Sequence, residues 1–145
     1  MSIPALQKNG ELPPGEHQAS LDEVETVFGF STERRKLLMR GLRNAVSNLV
    51  LCGVGRLWIN GSFITDEDEP NDIDGCWEYT SSVDVEKLDP VFLQSRQDMK
   101  EKYGLDFFIS NLVEAGSGLP FPQFFQVNRD GNPKGIILVI LKGSK

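Results

Sequence analysis

The chain has 145 residues and a formal charge of −6, with 39% hydrophobic and 25% charged residues. That length holds a single core, burying roughly two thirds of the surface that the unfolded chain exposes. No apolar run approaches the roughly 20 residues of a membrane helix, so a soluble domain is expected. The acidic total disfavours extended nucleic-acid contact, which rewards clustered Lys and Arg. Met1 to Gly10 has neither a cationic start nor an apolar stretch, so no secretion signal is expected and the cytoplasm is the expected compartment. Two cysteines, Cys52 and Cys76, form no Cys-x-x-Cys or Cys/His spacing and read as buried free thiols.

Residues 1–19 hold Pro4, Gly10, Pro13, Pro14 and Gly15 without apolar periodicity, which predicts an irregular arm carrying the lone histidine, His17, in a solvated loop. Residues 20–145 form the predicted single domain. Ser20-Leu21-Asp22-Glu23 fits a capping box, opening a helix with Leu21, Val24, Val27 and Phe28 on one face and Gly29 as its stop. Ser31 or Thr32 then caps a longer helix whose apolar positions run from Leu37 to Val50. Its other face carries Arg34, Arg35, Lys36, Arg40 and Arg43, a cationic stripe read as a solvated face.

A short strand is predicted at Arg56 to Asn60, leading into Gly61-Ser62. Residues 63–71 form an acidic connector with a Pro-Asn turn signal, and Asp72 to Tyr79 read as a second strand. Helical pieces are expected at 84–88 and 90–103, and a third strand over 105–113. Gln123 to Val127 and Gly135 to Leu141 frame Asp130-Gly131, which predicts a C-terminal β-hairpin. The run Ile136 to Leu141 is apolar on both faces and fits an inner strand.

The chemistry concentrates at Asp72 and Asp74. Two apart on a strand, they leave the same face with Cβ atoms roughly 6 to 7 Å apart. Converging carboxylates repel, and a divalent cation is the usual means of keeping both ionised; hard oxygen ligands select Mg²⁺ or Mn²⁺. Gly61-Ser62 ends the preceding strand nine residues earlier. A glycine there allows close approach to phosphate oxygens, and the serine hydroxyl and nearby amides can donate to them.

The order strand, Gly61-Ser62, connector, Asp72-Ile73-Asp74 resembles the signature of the polymerase-β-like nucleotidyltransferase superfamily. Leu12-Pro13-Pro14-Gly15, Gly61-Ser62-Phe63-Ile64-Thr65, Pro70 to Trp77, and Phe124-Phe125-Gln126 through Lys134-Gly135-Ile136 are similar to a small family of uncharacterised, nucleotidyltransferase-like bacterial and phage proteins. The resemblance implies an α/β (α+β) minimal nucleotidyltransferase fold, with a mixed central sheet flanked by helices. It implies a third carboxylate on a neighbouring strand, for which Asp106 is the best match and Glu114 the second. It also implies a nucleoside triphosphate as substrate, its phosphates near Gly61-Ser62. The connector departs from the pattern of many active members, because Asp66, Glu67, Asp68 and Glu69 stand where those members carry a cation. Arg129 and Lys134 at the hairpin, or Arg56, are the compensating candidates.

The expected function is transfer of a nucleoside monophosphate, with Mg²⁺ or Mn²⁺, from a triphosphate to a protein, RNA or small-molecule hydroxyl. The alternatives are a non-catalytic binding protein of the same fold, such as the antitoxin-like half of a two-gene defence system, and an idle sensor of nucleotide or metal. A protein partner is expected on either of the first two readings, and no membrane.

Overall fold

A computed structural model describes residues 3–141; Met1 and Ser2 of the expected arm and residues 142–145 of the expected domain lie outside the described residues. The first helix, α1 (Leu21–Phe28), is set by the capping box: Ser20 Oγ accepts from the Glu23 amide at 3.1 Å while Glu23 Oε1 accepts from the Ser20 amide at 2.8 Å. The Thr32 hydroxyl accepts from the Arg35 amide and starts α2 (Glu33–Leu51). Four of the expected strands and helices follow in recognisable form: β2 (Arg56–Asn60), β3 (Ile73–Trp77), α4 (Arg96–Tyr103) and β4 (Leu105–Ile109).

Other expectations are corrected. The arm is not irregular throughout, since Gly15–Ala19 forms a strand, β1, lying parallel to the last strand, β5 (Gly135–Ile140). Its alternation is short and mostly polar, which hid it. His17 sits on that strand, half-buried, with Nε2 2.6 Å from the Pro13 carbonyl oxygen. Residues 84–88 make turns only, and the next helical stretch breaks into α3 (Val91–Gln94) and α4 because Ser95 turns extended and caps α4 through the Asp98 amide. Phe121–Phe124 forms a one-turn helix, α5, led by Pro120 and Pro122, so Gln123 to Val127 is not a strand. The C-terminal hairpin shrinks to a turn around Asn128 to Gly131 with one bridge between Val127 and Pro133.

The five strands make one open sheet in the order β1-β5-β2-β3-β4. β5 pairs antiparallel with β2, β2 antiparallel with β3, and β3 parallel with β4, so the sheet is mixed and the fold α+β. β5 is an inner strand, as its two-sided apolarity predicts. Leu57, Ile59, Ile73, Trp77, Leu105, Phe107, Ile137 and Val139 face the main core with α1, α2 and α4. Gly41 permits the close meeting of α2 with the end of α4, since a Cβ there would collide with the Tyr103 carbonyl. On the opposite face Trp58, Cys76, Ile136 and Leu138 pack under Phe121 and Phe125. By strand alternation Asp74 and Asp106 belong to this second face, beyond the end of its aromatic cover. Cys52 and Cys76 are buried and free. Among the described residues no helix is long and apolar enough to cross a membrane.

Candidate metal centre

Three neighbouring strands bring the polar groups together. Asp74 stands opposite Asp106 in the parallel pair β3–β4 and opposite Asn60 in the antiparallel pair β2–β3. Asp72 precedes β3 by one residue and turns back to the same place. Carboxylate oxygens of Asp72, Asp74 and Asp106 all lie within 4.8 Å of one another, partly buried at the sheet's end. Gly61 closes one side. It leaves β2 with φ 84° and ψ −165°, a backbone state that only glycine adopts readily, and a Cβ there would fall on the Asp74 carboxylate.

An open cleft of about 620 Å³ adjoins these groups, walled by Gly61, Ser62, Asp74, Asn60, Lys134 and Arg129. Lys134 donates from Nζ to Asn60 Oδ1. Burial pulls its ammonium pKa down, against the raising fields of Glu11 and Asp74. Burial, then the nearby Asp72 and Asp106 charges, push the Asp74 carboxyl up to about 7; Lys134 opposes the rise. Lys134, expected to contact the nucleotide, lines the cleft together with Gly61 and Ser62.

Two cations that sequence reasoning did not single out reach the carboxylates from α4. Arg96 donates from Nε and Nη2 to the two oxygens of Asp106 at 2.9 and 2.7 Å and lies over the Phe108 ring. Lys100 stands 3.1 Å from Asp72. Their signal is the i, i+4 spacing on a helix joined to β4 by Gly104 alone, a left-handed cap with φ 73° that folds α4 back along the strand.

Three hard carboxylate oxygens converging at one point fit a divalent cation such as Mg²⁺ or Mn²⁺. The α4 cations do not forbid it, because the Arg96 side chain is 68% and the Lys100 side chain 49% exposed, free to swing outward. Glu114 is not part of the cluster. Its carboxylate accepts from the Ser117 amide at 2.6 Å, and these loop amides hold its pKa down.

The acidic connector does have its cation, supplied from α2. Arg35 is 3% exposed, which corrects its place in a solvated stripe. Its guanidinium donates to the carbonyls of Phe28, Phe63, Thr65 and Glu67, with 2.6 Å to Phe63 and 2.9 Å to Thr65, and sits over the Phe63 ring. Burial lowers its pKa, while Glu67, Asp68 and Asp66 raise it. The guanidinium is thus spent on the connector's own backbone. Arg43, also of the expected stripe, pairs with Asp22 and Glu25 of α1.

A family model described as "Family of unknown function (DUF6932)" matches residues 4–140. The chain belongs to that family. The match spans β1 to β5 and takes in the three carboxylates, Gly61 and Lys134 of this family member. No curated protein and no solved structure matches the chain.

Proposed function

We propose that the chain is a minimal nucleotidyltransferase that moves a nucleoside monophosphate from a triphosphate to a hydroxyl acceptor, using Mg²⁺ or Mn²⁺. The observation that carries this reading is the convergence of Asp72, Asp74 and Asp106 within 4.8 Å beside the glycine turn at Gly61. The bound cation would neutralise charge on the attacking and leaving oxygens of an in-line displacement. Gly61 leaves open backbone for phosphate to approach, Ser62 offers a hydroxyl, and Lys134 offers an ammonium in the same cleft. A bond forms between the acceptor oxygen and the α phosphorus, the α–β bridging bond breaks, and pyrophosphate leaves. The acceptor's proton passes to a carboxylate oxygen of Asp106 once Arg96 has swung away.

Transfer of label from an α-labelled triphosphate, dependent on Mg²⁺ and lost in Asp74→Asn, tests this. Absence of transfer with every nucleotide and every hydroxyl acceptor class would remove it.

A second reading has its own observation. Arg96 and Lys100 already neutralise Asp106 and Asp72, as in a domain that keeps the cluster for structure and acts through a partner. On that reading Asp72→Asn and Asp74→Asn variants bind the partner undiminished, and no divalent cation binds.

A further inference from the structure

Beside the metal cluster lies a second depression, about 450 Å³, between α2 and α4. That volume falls in the range of small-molecule sites. Its charge is opposite to that of the first. The Asp74 cleft carries Glu11, Glu67, Asp74 and Asp130 against Arg129 and Lys134. The α2–α4 groove carries Arg34, Arg40, Lys100 and Lys102 against Glu101 alone. In a chain of net charge −6 this concentration of cations is the exception, and low-dielectric walls focus its field.

The cations of the groove fall into two sorts. Lys100 and Lys102 are engaged with Asp72 and Asp89. The side chains of Arg34 and Arg40 make no ion pair or hydrogen bond among the described residues, and both residues are exposed. They lie three residues either side of Leu37, itself 54% exposed, so α2 presents guanidinium, apolar surface and guanidinium in succession. Two free planar forks flanking an apolar step suit an oxyanion attached to a hydrophobic or aromatic body. The groove and the Asp74 cleft are neighbours, with Asn71 lining both.

We infer that the α2–α4 groove is a binding site for a phosphate-bearing ligand of about mononucleotide size, held by Arg34 and Arg40. Its role as the seat of the acceptor, with the acceptor's hydroxyl directed past Asn71 to the carboxylates, rests on the transferase reading above; the binding of phosphate does not.

Binding of inorganic phosphate and of a 5′-phosphorylated dinucleotide is measured on the whole chain by calorimetry and ³¹P NMR. The wild type binds with an affinity that falls as salt rises, and Arg34→Ala with Arg40→Ala weakens binding by about tenfold or more. Lys36→Ala, which removes an α2 charge outside the groove, leaves binding within about twofold. Both arginines are exposed and unpaired, so a native circular-dichroism spectrum is expected of the double variant. Tighter binding of the dinucleotide than of phosphate assigns a nucleic-acid end as the source, and equal binding assigns a free phosphate group; either supports the site. No binding of either probe overturns it, as does a loss in Lys36→Ala matching that in the double variant, which would leave only bulk charge. Phosphate binding that persists where label transfer is absent removes the transferase reading and leaves the groove standing.

Discussion

Arg96 holds Asp106 side-on, with Nε on one carboxylate oxygen and Nη2 on the other. One Asp106 oxygen also belongs to the candidate cation site, so guanidinium and metal compete for this carboxylate. Arg96→Ala is expected to tighten Mn²⁺ binding several-fold, read by calorimetry or by electron paramagnetic resonance of free Mn²⁺. Stability should change by less than ~1 kcal/mol, because the pair is exposed on the arginine side. Unchanged or weaker Mn²⁺ binding would show that the arginine does not guard the site.

Gly61→Ala tests the turn. A methyl group there meets the Asp74 carboxylate and must also accept a φ of 84° with extended ψ. Backbone strain of this kind costs on the order of 1–3 kcal/mol, to be read in urea unfolding. Transfer activity should fall further than stability does, since the methyl occupies the space a phosphate oxygen would approach. An alanine variant as stable and as active as the wild type would contradict both roles.

The carboxylate cluster was legible because it depends on short-range spacing: Asp74 takes its face by strand alternation, Asp72 reaches the same cluster from the bend just before β3 rather than from the strand expected there, and a glycine after a strand marks a tight turn. Asp106 was legible through resemblance, and the register of β3 with β4 sets it opposite Asp74. The inner position of β5 followed from its two-sided apolarity. What escaped depends on contacts distant in sequence. Gly15–Ala19 becomes a strand only because β5 lies beside it more than a hundred residues later. Gln123 to Val127 has a strand's composition, yet the prolines at 120 and 122 favour a helical turn and its phenylalanines cap the second sheet face. Arg35 is chemically the same as its neighbours Arg34 and Arg40, and only the folding of the connector over α2 buries it.

Arg35→Met leaves the carbonyls of Phe28, Phe63, Thr65 and Glu67 without their shared donor. The bonds to Phe28 and Phe63 are buried and those to Thr65 and Glu67 only partly so; at ~1–3 kcal/mol for each buried acceptor orphaned, a loss of ~2–6 kcal/mol is expected in urea unfolding. Arg35→Lys should recover little of it, because a single ammonium does not span acceptors that a planar fork reaches together. Full rescue by lysine would mean that charge near Glu67 and Asp68, rather than the carbonyl geometry, is what the connector needs.

Asp74 predicts how pH acts on the chain without divalent cation. Its folded-state pKa is raised to about 7, by burial first and then by Asp72 and Asp106, against an ordinary value of ~4. Between those two values the folded chain holds a proton that the unfolded chain has released, so folding takes up protons and the contribution of Asp74 to stability falls as pH rises. The contribution is whole below about pH 4 and is lost on passing about pH 7. Asp74→Asn, a neutral residue of nearly the same shape, removes that dependence. The unfolding free energy of the wild type minus that of Asp74→Asn, measured in a chelator, should therefore decline from pH 4 to pH 8. A flat difference across that range would mean that Asp74 is ionised throughout, with Lys134 rather than a proton balancing its charge.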